Sequence, residues 1–254
     1  MFELRRMLLF VVLAACALIS HSQQTLRLAA AADLEPVLPA IIAQFATQKG
    51  IHVEASYKSS ATLAAAIING APFDLFLAAD LNFPQRVIAA GLAEESAPIP
   101  YARGTLVLWT RNDSRYHQLS MDSLRDPALK SVAIASPEHA PYGRAARAAL
   151  EHLGLYDTVK PKLVIAENIA QTAQYADSGN AELGFISLTS ALTPELKFDG
   201  HYIEVPREAY PPILQGAIAI KNSPNARAAR QFLDFLASAP VVHQLEVGGL
   251  GPAR

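Results

Sequence analysis

Ser59-Ser60-Ala61-Thr62-Leu63-Ala64-Ala65-Ala66-Ile67-Ile68-Asn69-Gly70-Ala71-Pro72-Phe73-Asp74-Leu75-Phe76-Leu77-Ala78-Ala79-Asp80 is the stretch on which the fold turns. It reads as a hydroxyl-rich turn, an Ala-rich helix, a tight turn at Gly70–Pro72 and a buried strand. Ser60, just ahead of the apolar run, is the expected N-cap, its hydroxyl satisfying first-turn amides. Those amides and the positive end of the helix dipole form an anion site that needs no charged side chain. A capping serine alone is an ordinary structural device. Its interest here comes from repetition of the same strand, polar turn and helix elsewhere in the chain.

Upstream, Thr25–Ala32 reads as a strand. Leu34, Val37, Leu38, Ile41, Ile42 and Phe45 then form a helical stripe stopped by Gly50, and Ile51–Tyr57 alternates as a second strand. Downstream, Leu81–Ala90 is a helix closed by Gly91. The resulting βαβαβ order predicts a parallel sheet. After the apolar strand Thr105–Thr110 and a polar stretch, the pattern restarts at Ser131–Ala135. The turn Ser136–Gly143 follows, then a helix carrying Ala146, Ala149, Leu150 and Leu153. Lys162–Ala166 and Glu182–Ser187 are further strands, with Asn168 capping a helix Ile169–Asp177. Tyr202–Val205 and Leu214–Ile220 are the last strands, and Ser223-Pro224 opens a final helix. The Gly-rich tail 248–252 is expected to fray. Two α/β lobes result, and the pattern leaves open which lobe the C-terminal strand and helix complete.

The chain has 254 residues, 51% of them hydrophobic and 17% charged, so a sizeable core can form. A net charge of −2 argues against nucleic acid or an anionic membrane surface as partner. Arg5 and Arg6 before the apolar run Met7–Ile19 mark residues 1–22 as a signal peptide. Cleavage before Gln23 is favoured. Leu13-Ala14-Ala15-Cys16 offers the alternative of a lipoprotein box, with lipid on Cys16. No later run is long and apolar enough to cross a bilayer.

Catalytic signatures are missing. There is no G-x-S-x-G, H-E-x-x-H, P-loop or G-x-G-x-x-G, and the histidines, His139 included, are scattered. The turns at Ala32-Asp33, Ser59-Ser60, Pro141-Tyr142-Gly143 and Asn168-Ile169 remain. In open α/β sheets such turns converge at the carboxyl ends of the strands, where ligands bind. Their common resource is backbone N–H with an occasional hydroxyl, which suits a fully ionised oxyanion. An organic acid would call for an arginine clamp; Arg144 is the candidate, and it reads as a solvated helix residue.

Several segments resemble the substrate-binding proteins of molybdate ABC importers, within the type II periplasmic binding proteins. They are Ala29–Leu34, Ser59–Ala64, Gly70–Asp80, Pro137–Gly143 and Glu182–Phe185. The resemblance implies two α/β lobes joined by two crossing segments, lobe 1 at 24–104 plus 214–254 and lobe 2 at 105–213. It implies a monomeric, periplasmic, non-enzymatic protein without cofactor or metal ligands, holding molybdate or tungstate as a tetrahedral oxyanion between the lobes. Its partners would be an ABC permease and the ATPase of that importer. The ligand contacts it implies are Asp33, Ser60, Tyr142, Ile169 and Ser187. Another oxyanion such as phosphate or sulfate is the alternative, and an extracytoplasmic enzyme on the same fold a more distant one.

Two positions depart from the family. Ser187 stands where relatives often have an anion-binding Tyr, a contact that Tyr142 can replace from another direction. Asp33 stands where relatives commonly have Ser or Asn. A carboxylate about 4 Å from a dianion, at an effective dielectric near 20, costs roughly 8 kcal/mol. A helix N-terminus returns only about 0.3–2 kcal/mol. Asp33 therefore turns aside to cap its own helix, the favoured reading, or is protonated, or meets a ligand that carries a proton.

Overall fold

The computed structural model describes residues 25–253; the signal-peptide and Cys16 readings lie outside the described residues. Two five-stranded sheets organise the chain. The first runs β2 (His52–Lys58), β1 (Thr25–Ala31), β3 (Leu75–Ala78), β10 (Ile213–Ala219), β4 (Ile99–Gly104). The second runs β7 (Leu163–Ala166), β6 (Val132–Ala135), β8 (Leu183–Ser187), β5 (Leu106–Arg111), β9 (Gly200–Glu204). The fold is the two-lobed α/β architecture of type II periplasmic binding proteins.

Each sheet is mixed where the sequence pattern predicts parallel pairing. β1 pairs parallel with β2 and β3, and β6 with β7 and β8. β10 is antiparallel to β3 and β4, and β5 to β8 and β9. These antiparallel strands are the ones next to the crossings between sheets. The chain leaves the first sheet at Gly104 and enters the second at Leu106; it returns from β9 to β10 through Tyr210-Pro211-Pro212. The Leu106 amide donates to the Tyr210 hydroxyl at 3.2 Å, which ties the two crossings together.

Strand periodicity explains the layers. On β1, Leu26, Leu28 and Ala30 face a cluster with Phe45 and Phe232, while Ala29 faces the opposite cluster with Leu63, Phe76 and Phe83. On β5, Leu106 and Leu108 face one side, and Val107 and Trp109 the other. Burial on both faces is what helices on either side of a sheet require. Phe45 and Phe232 meet edge to face, ring centroids 4.9 Å apart; truncating either to Ala would cost about 3–5 kcal/mol.

Four local expectations are corrected. The stripe beginning at Leu34 is split into a 3₁₀ turn, Ala32–Leu34, and a helix, Leu38–Lys49. Pro39 has no N–H and fits only in a helical first turn, which sets the later start. Gly50, at φ 67°, closes that helix in the left-handed conformation. The strand Ile99–Gly104 was not foreseen; it is an edge strand, and an edge tolerates Pro100. The last strand's helix starts at Ala226 rather than at Ser223-Pro224: the Ser223 hydroxyl donates to Asp74 at 2.6 Å and accepts from the Asn225 amide at 2.9 Å, closing a turn ahead of the helix. The tail does not fray. A further helix, Ala239–Val247, leads to buried Leu250, and Gly251 exchanges two 2.8 Å backbone hydrogen bonds with Arg103.

Candidate functional site

Three helices begin where strands of the two sheets end. At the first, Ser59 rather than Ser60 is the N-cap. Its extended backbone (φ −62°, ψ 148°) lets its Oγ accept from the Thr62 amide at 3.2 Å. Ser60 becomes the first helical residue of Ser60–Ile68, and its Oγ accepts from the Ala79 amide at 3.0 Å, binding the turn to the end of β3. At the second, Asn168 caps Ile169–Asp177, as read from the sequence, its Oδ1 accepting from the Gln171 amide at 3.0 Å. The third, Pro141–His152, opens on Pro141 with no side-chain cap. First-turn amides have no acceptor inside their own helix. Ser60, Tyr142, Gly143 and Ile169 stand in such positions. Gly143 is required for the approach, since a Cβ there would lie 2.3 Å from the Ala135 carbonyl oxygen and 2.6 Å from that of Ser136.

These ends converge across the two sheets. Ala31 at the end of β1 and Ala32 beyond it, Ala79 beyond β3, Ala140, Tyr142 and Ile169 belong to one buried cluster. The Ala61 amide donates across to the His139 carbonyl oxygen at 3.2 Å. His139 itself is exposed and contributes this backbone contact rather than chemistry of its ring.

Asp33 sits at the centre of the convergence, fully buried. It caps nothing: the turn Ala32–Leu34 has no side-chain cap. Instead its Oδ2 accepts from the Tyr142 hydroxyl at 3.1 Å and from the Gln215 side-chain amide. Gln215 in turn accepts from the Tyr101 hydroxyl at 2.7 Å. The Thr189 hydroxyl donates to the Asp33 carbonyl oxygen at 2.7 Å. The other carboxyl oxygen, Oδ1, is buried without a partner. The capping expectation fails because a single 3₁₀ turn offers little to cap, while two stronger donors face the carboxylate from β10 and from the opposite lobe. Burial raises the Asp33 pKa from 3.8 to about 6, against the opposing pull of Gln215 and Tyr142. Burial, then the Asp33 charge, holds the Tyr142 phenol well above its ordinary value, so it acts as a donor.

Ser187 is buried and caps the short helix Leu188–Ala191, accepting from the Ser190 amide at 3.2 Å. Its Oγ lies 2.9 Å from the Thr189 hydroxyl, which connects it indirectly to Asp33. Thus Asp33 and Tyr142 touch, Ser187 is one residue-contact away, and Ser60 and Ile169 bring helix N-termini to the same cluster.

Arg144 is partly exposed but not free in solvent. Its guanidinium pairs with Asp80, whose pKa burial raises and Arg144 lowers, and lies 5.3 Å from the Phe83 ring centroid. The Asp80 Oδ1 also accepts from the Phe83 amide at 3.0 Å. This arginine links the lobes instead of clamping a ligand carboxylate. Sequence reading missed Gln215, Thr189, Tyr101 and the pairing of Arg144 with Asp80; Gln215 and Tyr101 lie within strands and Thr189 within a short helix, and Asp80, though in the bend after β3, gives no local sign of its partner. Among the described residues no group of His, Cys, Asp and Glu is arranged to hold a metal ion.

Residues 26–249 match the family model described as bacterial extracellular solute-binding protein. The chain is 36% identical over 208 residues to the molybdate-binding protein ModA of Rhodobacter capsulatus, covering 82% of this chain and 81% of that one. It is 34% identical over 225 residues to ModA of Azotobacter vinelandii, covering 89% of each. The solved Azotobacter vinelandii periplasmic molybdate-binding protein superposes with a TM-score of 0.83 at 31% identity, over 89% of this chain and 98% of that one. A sulfate-binding protein from Mycobacterium tuberculosis, with a TM-score of 0.75 over 90% of this chain and 87% of that one, is only 17% identical and shares the fold alone. A chain that matches along nearly its whole described length, with relatives named for binding rather than catalysis, belongs to the bacterial extracellular solute-binding proteins.

Proposed function

We propose that this protein captures molybdate or tungstate as a tetrahedral dianion between two lobes, 24–104 with 214–254 and 105–213. In this reading it acts in the periplasm as a monomer and delivers the anion to an ABC permease driven by its ATPase. The observation that carries the reading is the approach of three helix N-termini: those at Tyr142 and Ile169 lie in one buried cluster, and the one at Ser60 is tied to it by the 3.0 Å bond that its Oγ accepts from the amide of Ala79, a member of that cluster. Such amides supply donors and positive dipole ends without a cationic side chain. The molybdate-binding relatives support the choice of anion. Ser60 and Tyr142 lend amides, Ile169 lends its amide, and Asp33 and Ser187 shape the wall beside them. Molybdate and tungstate are alike in charge and shape and nearly equal in size, so this site does not tell them apart.

Thermal unfolding with molybdate, tungstate, sulfate, phosphate and chromate tests the reading. Ligand at one hundred times its Kd adds about 2.7 kcal/mol, or about 5–10 °C for a chain of this size. Shifts with molybdate and tungstate alone are expected. A buried carboxylate beside the site, Asp33, is the one feature that would favour a protonated anion such as hydrogen phosphate. A shift with phosphate and none with either heavy oxyanion would overturn the proposal in that direction.

A further inference from the structure

Resting on that reading of the site, we propose that Asp33 enters the anion complex as the neutral acid, its Oδ1–H donating to an oxygen of the bound dianion, so that capture takes up one proton from solvent. The geometry divides the carboxyl group into two different oxygens. Oδ2 is fully engaged as an acceptor, by the Tyr142 hydroxyl and the Gln215 amide. Oδ1 is buried, lacks a partner, and lies in the turn that packs against the Ile169 helix. An orphaned carboxylate oxygen in the turn that packs on the Ile169 helix would repel a dianion held at the start of that helix; the same oxygen carrying a proton supplies one more donor to it.

The surroundings leave the neutral acid as the way to remove that repulsion. The ionisable groups nearest the carboxyl are phenols, Tyr101 of β4, Tyr142, and Tyr210 beyond it, and the Arg103 guanidinium of β4 is not among the groups that act on Asp33. Gln215 of β10 and Thr189 are neutral. Glu35 acts on Tyr57 of β2, and Lys58 at the end of that strand is exposed. The guanidinium of Arg144 is spent on Asp80. No cation is therefore placed to neutralise an ionised Asp33 among the described residues. Burial already brings the free carboxyl close to protonation, at about pH 6. The donors on Oδ2 orient the group, which leaves Oδ1 as the oxygen that takes the proton.

The sign follows from linkage. Above pH 6 the complex holds one proton more than the free protein, so affinity falls as pH rises; below it both are protonated and affinity is flat. Isothermal titration with molybdate from pH 5 to pH 8.5 reads this directly. A tenfold weakening per pH unit above about pH 6 is expected, with one proton taken up per anion at pH 8, read from buffers of different ionisation heat. Asp33→Asn is expected to lose the slope and the proton uptake. A flat wild-type profile with no proton uptake, while molybdate still binds, overturns the inference and leaves the anion reading intact. A wild-type slope that persists in Asp33→Asn also overturns it. The absence of molybdate binding at every pH overturns the anion reading itself, and this inference with it. Should Asp33→Asn fail to fold, the wild-type proton count decides alone.

Discussion

The Tyr142 hydroxyl donates to Oδ2 of Asp33 across 3.1 Å, joining the start of a second-lobe helix to the turn that ends β1. The contact is tightly framed. A Cβ on Gly104, at the crossing between sheets, would lie 2.2 Å from that same phenol oxygen. The glycine at the first crossing thus leaves room for a side chain that reaches from lobe to lobe to the buried carboxylate. A buried acid that would otherwise resist folding is held by two neutral donors.

Removing the phenol oxygen tests that tie. Tyr142→Phe keeps the ring packing and deletes one of the two donors to Asp33. At pH 8, where the acid is ionised, chemical denaturation should show a loss of about 1.5–3 kcal/mol, the range for hydrogen bonds to charged groups. At pH 5 the loss should shrink, because the neutral acid needs the donor less.

Asp33 itself lowers stability when ionised. Its folded pKa of about 6 lies above the ordinary 3.8. The folded state therefore holds its proton where the unfolded chain has lost it, and stability falls as pH rises from about 4 to about 6, then levels off. A shift of this size corresponds to about 3 kcal/mol. In anion-free protein, Asp33→Asn should raise the unfolding midpoint at pH 8 and lose most of that advantage at pH 4. An equal effect at both values would contradict burial as the source of the shift.

Adjacent serines should separate structure from binding. Ser59→Ala removes the helix cap and should cost about 1 kcal/mol of stability with little change in molybdate affinity. Ser60→Ala strips the acceptor from the buried Ala79 amide and should cost about 1–3 kcal/mol. We expect it to weaken molybdate binding as well, measured by titration alongside denaturation. Equal effects of both substitutions on affinity would show that the Ser60 hydroxyl does not position its own amide for the anion.

Arg144 and Asp80 form a pair between lobes whose partners are unequally exposed, 38% for the arginine side chain and 12% for the aspartate. Solvent screening at the arginine keeps the expected loss from Arg144→Ala near 1 kcal/mol. Asp80→Asn in the same background should then cost little more. A double-mutant cycle on unfolding free energy checks the coupling.

Much of this organisation was legible in the chain, for identifiable reasons. Asn168 ahead of an apolar run, and Gly50 after one, are local signals that tertiary structure left unchanged. The unbroken apolar run Leu106–Trp109 within Thr105–Thr110 revealed a strand buried on both faces. β4 stayed hidden because Pro100, Tyr101 and Arg103 spoil its apolar pattern, and its partners are β10 and Gly251, far along the chain. Asp33 stood out as a departure from its resembled family, and electrostatics showed that it needed an explanation. The explanation lay in Tyr142 and Gln215, 109 and 182 residues away. No local pattern ties side chains at those separations, and the same is true of Asp80 and Arg144.

A crystal of the protein grown with tungstate gives the most direct reading of the central claim, because the metal marks its own position by anomalous scattering. The account predicts one peak among the amides of Ser60, Tyr142 and Ile169, within hydrogen-bonding reach of Asp33, with no lysine or arginine side chain on the anion. A peak gripped by a guanidinium or ammonium group, or one outside the space between the lobes, would contradict it.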